Sequence, residues 1–134
     1  PAGIEPGFHR AVSACDEAIV VTTPSASAIR DADKVISLLA SYRLKDVSLV
    51  VNRVRSDMIA RGEMLSASEI SSLLHLAPIG VIPDDDMITL YQQLGTIPQH
   101  AISNRAYDVL AKNVAQNSKV FVDIAPKRRL RWFR

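Results

Sequence analysis

The sequence predicts an α/β fold, a mostly parallel sheet flanked by helices. Two observations carry this. Three short runs rich in β-branched residues are apolar through their centres instead of alternating, which suits strands covered on both faces. Stretches of helical periodicity separate them, and strands joined through helices pair in parallel by right-handed crossovers.

The chain opens on "PAGIE", a Pro-Ala-Gly turn with an acidic residue, and continues into a short amphipathic run. The first predicted strand is "AIVVTT" at 18–23. A helix over 26–42 follows, because Ile29, Ala32, Ile36 and Leu39 fall on one face and Val35 and Leu38 widen it. The second strand is "SLVVNRV" at 48–54. "SASE" at 66–69 is a capping box, with Ser66 capping the helix start and Glu69 reaching back, and that helix carries Ile70, Leu73 and Leu74. The third strand is "APIGVIP" at 77–83. Another helix starts near Asp84–Asp86 and stops at Gly95, a helix-ending residue. A further helix over 103–116 turns Ala106, Val109, Leu110 and Val114 inward, and a last short strand at 119–124 alternates Val120, Val122 and Ile124. Neither an internal repeat nor a low-complexity stretch is present. Residues 1–124 therefore read as one globular portion and 125–134 as a basic tail.

Length and composition narrow the classes of function. With 134 residues the chain can bury a real core, and 5% aromatic content makes that core aliphatic. Cys15 is the single cysteine, so neither an internal disulfide nor a cysteine zinc cluster is available. No run is long enough for a membrane span, and the start lacks the basic-then-apolar pattern of a secretory signal. The net charge of +2 hides an asymmetry. "KRRLRWFR" at 127–134 holds five basic residues, while the rest carries 11 Lys and Arg against 14 Asp and Glu. The mildly acidic body is not that of a nucleic-acid binder.

In parallel sheets the working residues lie beyond the carboxyl ends of the strands. Three such ends are legible: Thr22-Thr23-Pro24, Asn52 to Arg55, and Pro83 to Asp86. Asn52 offers an amide that can both donate to and accept from a nucleobase edge. Arg53 offers a flat cation for a ring or a phosphate, and Pro83 with the backbone after it can frame a flat heterocycle. The alternative stays open at this point: Asn52 caps a turn, Arg53 is solvated, and the acidic run is the negative first turn of a helix. A receiver-type reading of Asp84–Asp86 fails, since no phosphoacceptor Asp ends an earlier strand. In the tail, Leu130, Trp132 and Phe133 lie among Lys127, Arg128, Arg129 and Arg131. Such a short basic amphipathic segment suits an anionic membrane interface, and being weak alone it would act through doubling. A solvated basic end and a nucleic-acid contact are the alternatives.

Four stretches then act together: "PAGIE" at 1–5, "AIVVTTPSASAIRDADKVI" at 18–36, "VVNRVRSDMIARGEMLS" at 50–66 and "IGVIPDDD" at 79–86. In that order and spacing they resemble the MinD family of bacterial septum-site-determining ATPases, members of the deviant Walker-A group that also includes the ParA partition proteins. "FVDIAPKRRLRWFR" at the end resembles that family's last strand and membrane-targeting helix. The "RGEML" loop and the basic aromatic tail favour MinD over ParA, while "YQQLGTIP" departs from the family at Thr96, where Glu is typical.

The resemblance implies the C-terminal part of a P-loop NTPase-type fold. The glycine- and lysine-rich phosphate loop is absent from this sequence, in both its G-x-x-x-x-G-K-[ST] form and its lysine-glycine-glycine variant. The resemblance further implies that Asn52 and Arg53 contact adenine, that the backbone at Pro83 and Asp84 frames the same base, and that Glu5 approaches the nucleotide across a dimer interface. Arg30, Asp31 and Asp33 match a helix near the face where MinC and MinE dock; a solvated helix face is the competing reading. Family members use ATP or ADP with magnesium, dimerise around ATP, attach to the inner face of the cell membrane from the cytoplasm, and recruit the septum inhibitor MinC. The chain alone is expected to bind no nucleotide tightly and to be inactive, with no catalytic or metal-ligating residue of its own. Alternatives are a ParA-like partition ATPase fragment and a non-catalytic membrane- or partner-binding module. With a strand edge at "AIVVTT" unpaired and an apolar face open, homodimeric or strand-exchanged association is expected.

Overall fold

The computed structural model describes residues 6–95 and 101–122, so Glu5 and the basic tail at 127–134 lie outside the described residues. The elements run α1 (Pro6–Ser13), β1 (Glu17–Thr22), α2 (Ala26–Leu39), β2 (Asp46–Val54), α3 (Ser56–Ala60), α4 (Ala67–Leu74), β3 (Pro78–Pro83), α5 (Asp86–Leu94) and α6 (Ile102–Gln116). The α/β reading holds: the sheet has the order β1-β2-β3 and both pairings are parallel.

Local chemistry explains the helix starts. Ser25 accepts from the Ala28 amide at 3.3 Å to cap α2. The capping box of α4 forms in full, with Glu69 N donating to Ser66 Oγ at 3.2 Å and Ser66 N donating to Glu69 Oε2 at 2.7 Å. Ser66 Oγ also donates to Glu69 Oε2 at 2.7 Å, and this bond first, with the Ser66 amide second, holds the Glu69 carboxyl below its usual range. Gly95 sits at φ +66° after α5, where a Cβ would be strained.

Alternation along β2 builds two cores. Leu49, Val51 and Val54 point to one side and join Val20 of β1, Ala32 and Leu39 of α2, Ile70 and Leu74 of α4, and Phe8 of α1. Val50 points to the other side and joins Ile82 of β3 and Ala106 of α6. The second helix layer comes close because Gly80 lacks a side chain: a Cβ there would lie 2.7 Å from Leu110 Cδ1.

That second layer stops short of β1. Ile19 is 47% exposed and Val21 is 61% exposed. Coverage on both faces, suggested by the apolar runs, therefore fails at the first strand, where the open apolar face expected at "AIVVTT" is found: α6 lies over β3 and β2, and β1 shows one apolar face. β1 is also an edge strand among the described residues. A groove of about 950 Å³ runs along it, walled by Phe8 and Val12 of α1, Val35 and Leu39 of α2, and Ile19 and Val21.

Three further sequence expectations need correction. α2 ends at Leu39, short of 42. In α6, Val114 is 55% exposed and its neighbour Asn113 is 2% exposed. The expected last strand does not form over its described part, 119–122. The last two corrections share one cause. Asn113 donates through Nδ2 to the carbonyls of Ile79 at 2.8 Å and Val120 at 2.6 Å, and its Oδ1 accepts from Val120 N at 3.1 Å and Ser118 Oγ at 2.8 Å. The side-chain amide thus takes both backbone groups of Val120 that a neighbouring strand would have taken. A buried polar group must be partnered, so the helix rotates Asn113 inward and Val114 out.

Candidate functional site

The three strand ends converge on one rim because all strands run the same way. β1 ends at Thr22, which is buried, with Thr23 and Pro24 half-buried beyond it. β2 and β3 end in contact: Val54 pairs with Pro83, and Asp84 N donates to Val54 O at 3.0 Å. The register slips between Val51 and Val54, and within that irregularity Arg53 takes a left-handed backbone at φ +58°. An arginine rarely adopts that conformation, which costs about 1–2 kcal/mol and tends to persist at functional sites. Asn52 Oδ1 accepts from Arg53 N at 2.9 Å and steadies the irregular backbone. Arg53 Nε lies 3.6 Å from Asp84 Oδ1, a largely solvated pair worth only a few tenths of a kcal/mol.

Asn52, Arg53, Pro83 and Asp84, singled out from the sequence, are thus brought together around a cavity of about 340 Å³. Five further residues line it, Ile82, Asp85, Ile88, Ser103 and Tyr107, and sequence reasoning gave Asp85, Ser103 and Tyr107 no contact with a ligand. Asp85 belonged to a run read as the negative start of a helix. In the structure its Oδ1 accepts from Met87 N at 3.0 Å and its Oδ2 accepts from Ser103 N at 3.2 Å and Ser103 Oγ at 2.9 Å. One carboxylate therefore starts α5 and ties the loop after β3 to the first turn of α6. Ser103 is 1% exposed, and no local pattern in the sequence marks its partner 18 residues earlier. Tyr107, one turn further along α6, completes the third wall.

Just past β2, Arg55 and Arg61 both pair with Asp57, at 3.1 and 3.3 Å, and Arg61 reaches Glu63 at 2.9 Å. The Arg55 hydrogen bond is the main cause holding the Asp57 carboxyl below its usual range. This lattice shapes the "RGEML" loop. Arg30, Asp31 and Asp33 are exposed on α2, away from the strand-end cavity; Asp31 pairs with Lys34 at 3.2 Å and lines the groove along β1. Glu5 and the tail residues Lys127 to Phe133 are outside the described residues.

The cavity of about 340 Å³ has a donor set that suits a heterocycle: an amide, a planar cation and a proline-framed backbone. For the phosphates and magnesium of a whole nucleotide the chain supplies no glycine-lysine loop, so the residues present fit one end of a nucleotide only.

No profile of a known protein family matches the chain. Individual proteins do. The septum site-determining protein MinD of Synechocystis sp. is 47% identical over 95 residues, which are 71% of this chain and 36% of that protein. Among solved structures, the MinD cell division protein of Aquifex aeolicus superposes with a TM-score of 0.81 at 34% identity, covering 90% of this chain and 52% of that one. A MinC:MinD complex from the same organism gives 0.77 at 36% identity over 88% of this chain. MinD of Pyrococcus horikoshii, solved with Mg-ADP, shares the fold with a TM-score of 0.70 at 24% identity. The chain spans about half the length of the solved proteins and 36% of the Synechocystis protein. Over the portion it spans, which corresponds to the C-terminal half, the chain belongs to the septum site-determining MinD family of P-loop ATPases.

Proposed function

We propose that this chain is the base-framing portion of a MinD-type cell-division ATPase. In the whole protein, ATP with magnesium drives dimerisation, the dimer attaches to the cytoplasmic face of the cell membrane, and MinC is recruited there to select the division site. The observation that carries this reading is the convergence of Asn52 and Arg53 with Pro83 and Asp84 at the carboxyl ends of two adjacent parallel strands. Asn52 reads the base edge, the backbone after Pro83 frames the ring, and Arg53 is held at the rim by Asp84. Magnesium and the phosphate loop supply the chemistry at the far end of the nucleotide, and this chain's residues orient the near end.

The MinC:MinD neighbour supports MinC as partner, and the exposed α2 residues Arg30, Asp31 and Asp33 are its proposed contact, with MinE as a second claimant on the same face. The tail residues Lys127 to Phe133 are the proposed lipid anchor, acting in pairs across a dimer. Glu5 is proposed at the nucleotide across that dimer.

The test is a comparison of adenosine and ATP on this chain. Base contacts alone predict weak binding of similar strength for both, no effect of magnesium, and loss on Asn52→Ala. Steady phosphate release from ATP, or an Asn52→Ala variant that binds like the parent, would overturn the reading. Flotation with anionic liposomes, with and without residues 127–134, tests the anchor: binding that survives the deletion removes that role.

A second reading, a non-catalytic docking module, is favoured by the open groove along β1, where Ile19 and Val21 are exposed. Homodimeric or strand-exchanged association through that edge is its signature. Val21→Lys, which places a charge on the open face, is expected to shift the chain to monomer in sedimentation; an unchanged distribution would remove this edge as the contact.

A further inference from the structure

The cavity between the β2 and β3 ends has an edge-reading amide and a backbone frame, but a flat ring also needs a face to lie on. Among the described residues that line it, Tyr107 is the one aromatic. It is 49% exposed, so its ring is not consumed by the core. Its placement is set by hydrogen bonds at the start of α6. Asp85 Oδ2 takes both the amide and the hydroxyl of Ser103, which pins the first turn of α6 to the loop that follows Pro83. Residues four apart share a helix face, so locking Ser103 against that loop aligns Tyr107 one turn on, over the same opening. The other planar group at the opening, Arg53, is a largely solvated cation at the rim, 3.6 Å from Asp84.

We propose that Tyr107 is the stacking wall of this site and sets its preference for purines. This rests on the reading of the cavity as a base pocket and deepens it. A purine offers a larger π surface than a pyrimidine, and aromatic stacking discriminates by that surface with little need for hydrogen bonds. The hydroxyl takes no part in stacking, so phenylalanine serves as well as tyrosine, whereas leucine keeps apolar area without a π face.

The test is a ligand-observed NMR titration of this chain with adenosine and, separately, cytidine. The purine ring protons should move upfield on binding, and cytidine should bind more weakly. Tyr107→Leu and Tyr107→Ala should each weaken adenosine about tenfold, as the loss of one stacked base contact does, while Tyr107→Phe stays within about twofold. Because Tyr107 is half exposed, the variants should keep the parent's circular dichroism and melting temperature. A leucine variant that binds adenosine as the parent does, or purine protons that do not move upfield, overturns the stacking role. If Asn52→Ala weakens adenosine while the Tyr107 variants do not, only this inference falls. If the parent chain binds no adenosine at millimolar concentration, the base-pocket reading falls with it.

Discussion

Replacing Asn113 by alanine should be among the most damaging single changes in this protein, though nothing in the local sequence marks it. The residue is 2% exposed and makes four hydrogen bonds to three partners on two segments. Three of those partner groups belong to Ser118 and Val120, which are near enough to solvent for water to replace the lost bonds. The carbonyl of Ile79 lies in β3 beneath α6 and is less easily rehydrated. A buried group left without its partner costs about 1–3 kcal/mol. Releasing residues 118–122 also uncovers Val122 from the core formed by Val50, Ile82 and Ala106, adding about 1 kcal/mol for partial loss of an aliphatic side chain. The expected loss is about 2–4 kcal/mol in urea unfolding, or roughly a 10 °C drop in Tm for a domain of this size. The denaturant slope should also fall, because a segment already detached exposes less new surface on unfolding. Asn113→Leu should lose a comparable amount, since it restores volume but satisfies none of the four groups. A loss below about 0.5 kcal/mol with an unchanged slope would refute the claim that this amide, standing in for a strand, holds the end of the fold.

Arg53→Gly should raise or leave unchanged the unfolding free energy, by about 0–1 kcal/mol, because relief of the left-handed backbone outweighs a solvated ion pair and is offset by glycine's chain entropy. The same change should weaken adenosine, and a destabilisation above about 1 kcal/mol would show that Arg53 is not strained. Gly80→Ala should cost about 1–3 kcal/mol by pushing Leu110 aside, with much of it recovered in the Gly80→Ala, Leu110→Ala double variant; additive losses would argue against that contact. For Glu69 the folded carboxyl is held low, so its contribution is fully present above the ordinary carboxylate pKa near 4.3 and is lost as pH falls through the lower folded value. The stability gap between the parent and Glu69→Gln should therefore close as pH is taken from 6 toward 3, and a gap that stays constant would contradict the capping role.

Where the sequence spoke through local patterns it was legible. The β-branched runs placed all three strands within two residues of their observed bounds, and "SASE" placed a capping box that forms atom by atom. The parallel arrangement followed from the intervening helices, and with it the meeting of Asn52, Arg53, Pro83 and Asp84 at one rim. What stayed hidden depends on contacts between segments far apart in the chain. Asp85 and Ser103 are each ordinary helix-start residues until the fold sets one against the other. Asn113 resembles any polar residue of an amphipathic helix, and Val114 beside it had the better claim to the core by hydropathy alone. Arg53's backbone could not be foreseen either, since arginine carries no preference for a left-handed turn and the slip in register that requires it is a property of two strands.

The unclothed side of β1 has a practical consequence for anyone handling this polypeptide. Environment-sensitive dyes brighten on contact with accessible apolar surface, and the native form already presents Ile19 and Val21 beside a large groove. A dye-monitored melt should thus begin from high fluorescence and change little, so that an intact sample would be misjudged as collapsed or partly unfolded. Far-ultraviolet ellipticity, which senses the helices and is blind to that surface, is the sounder gauge of whether the chain is folded.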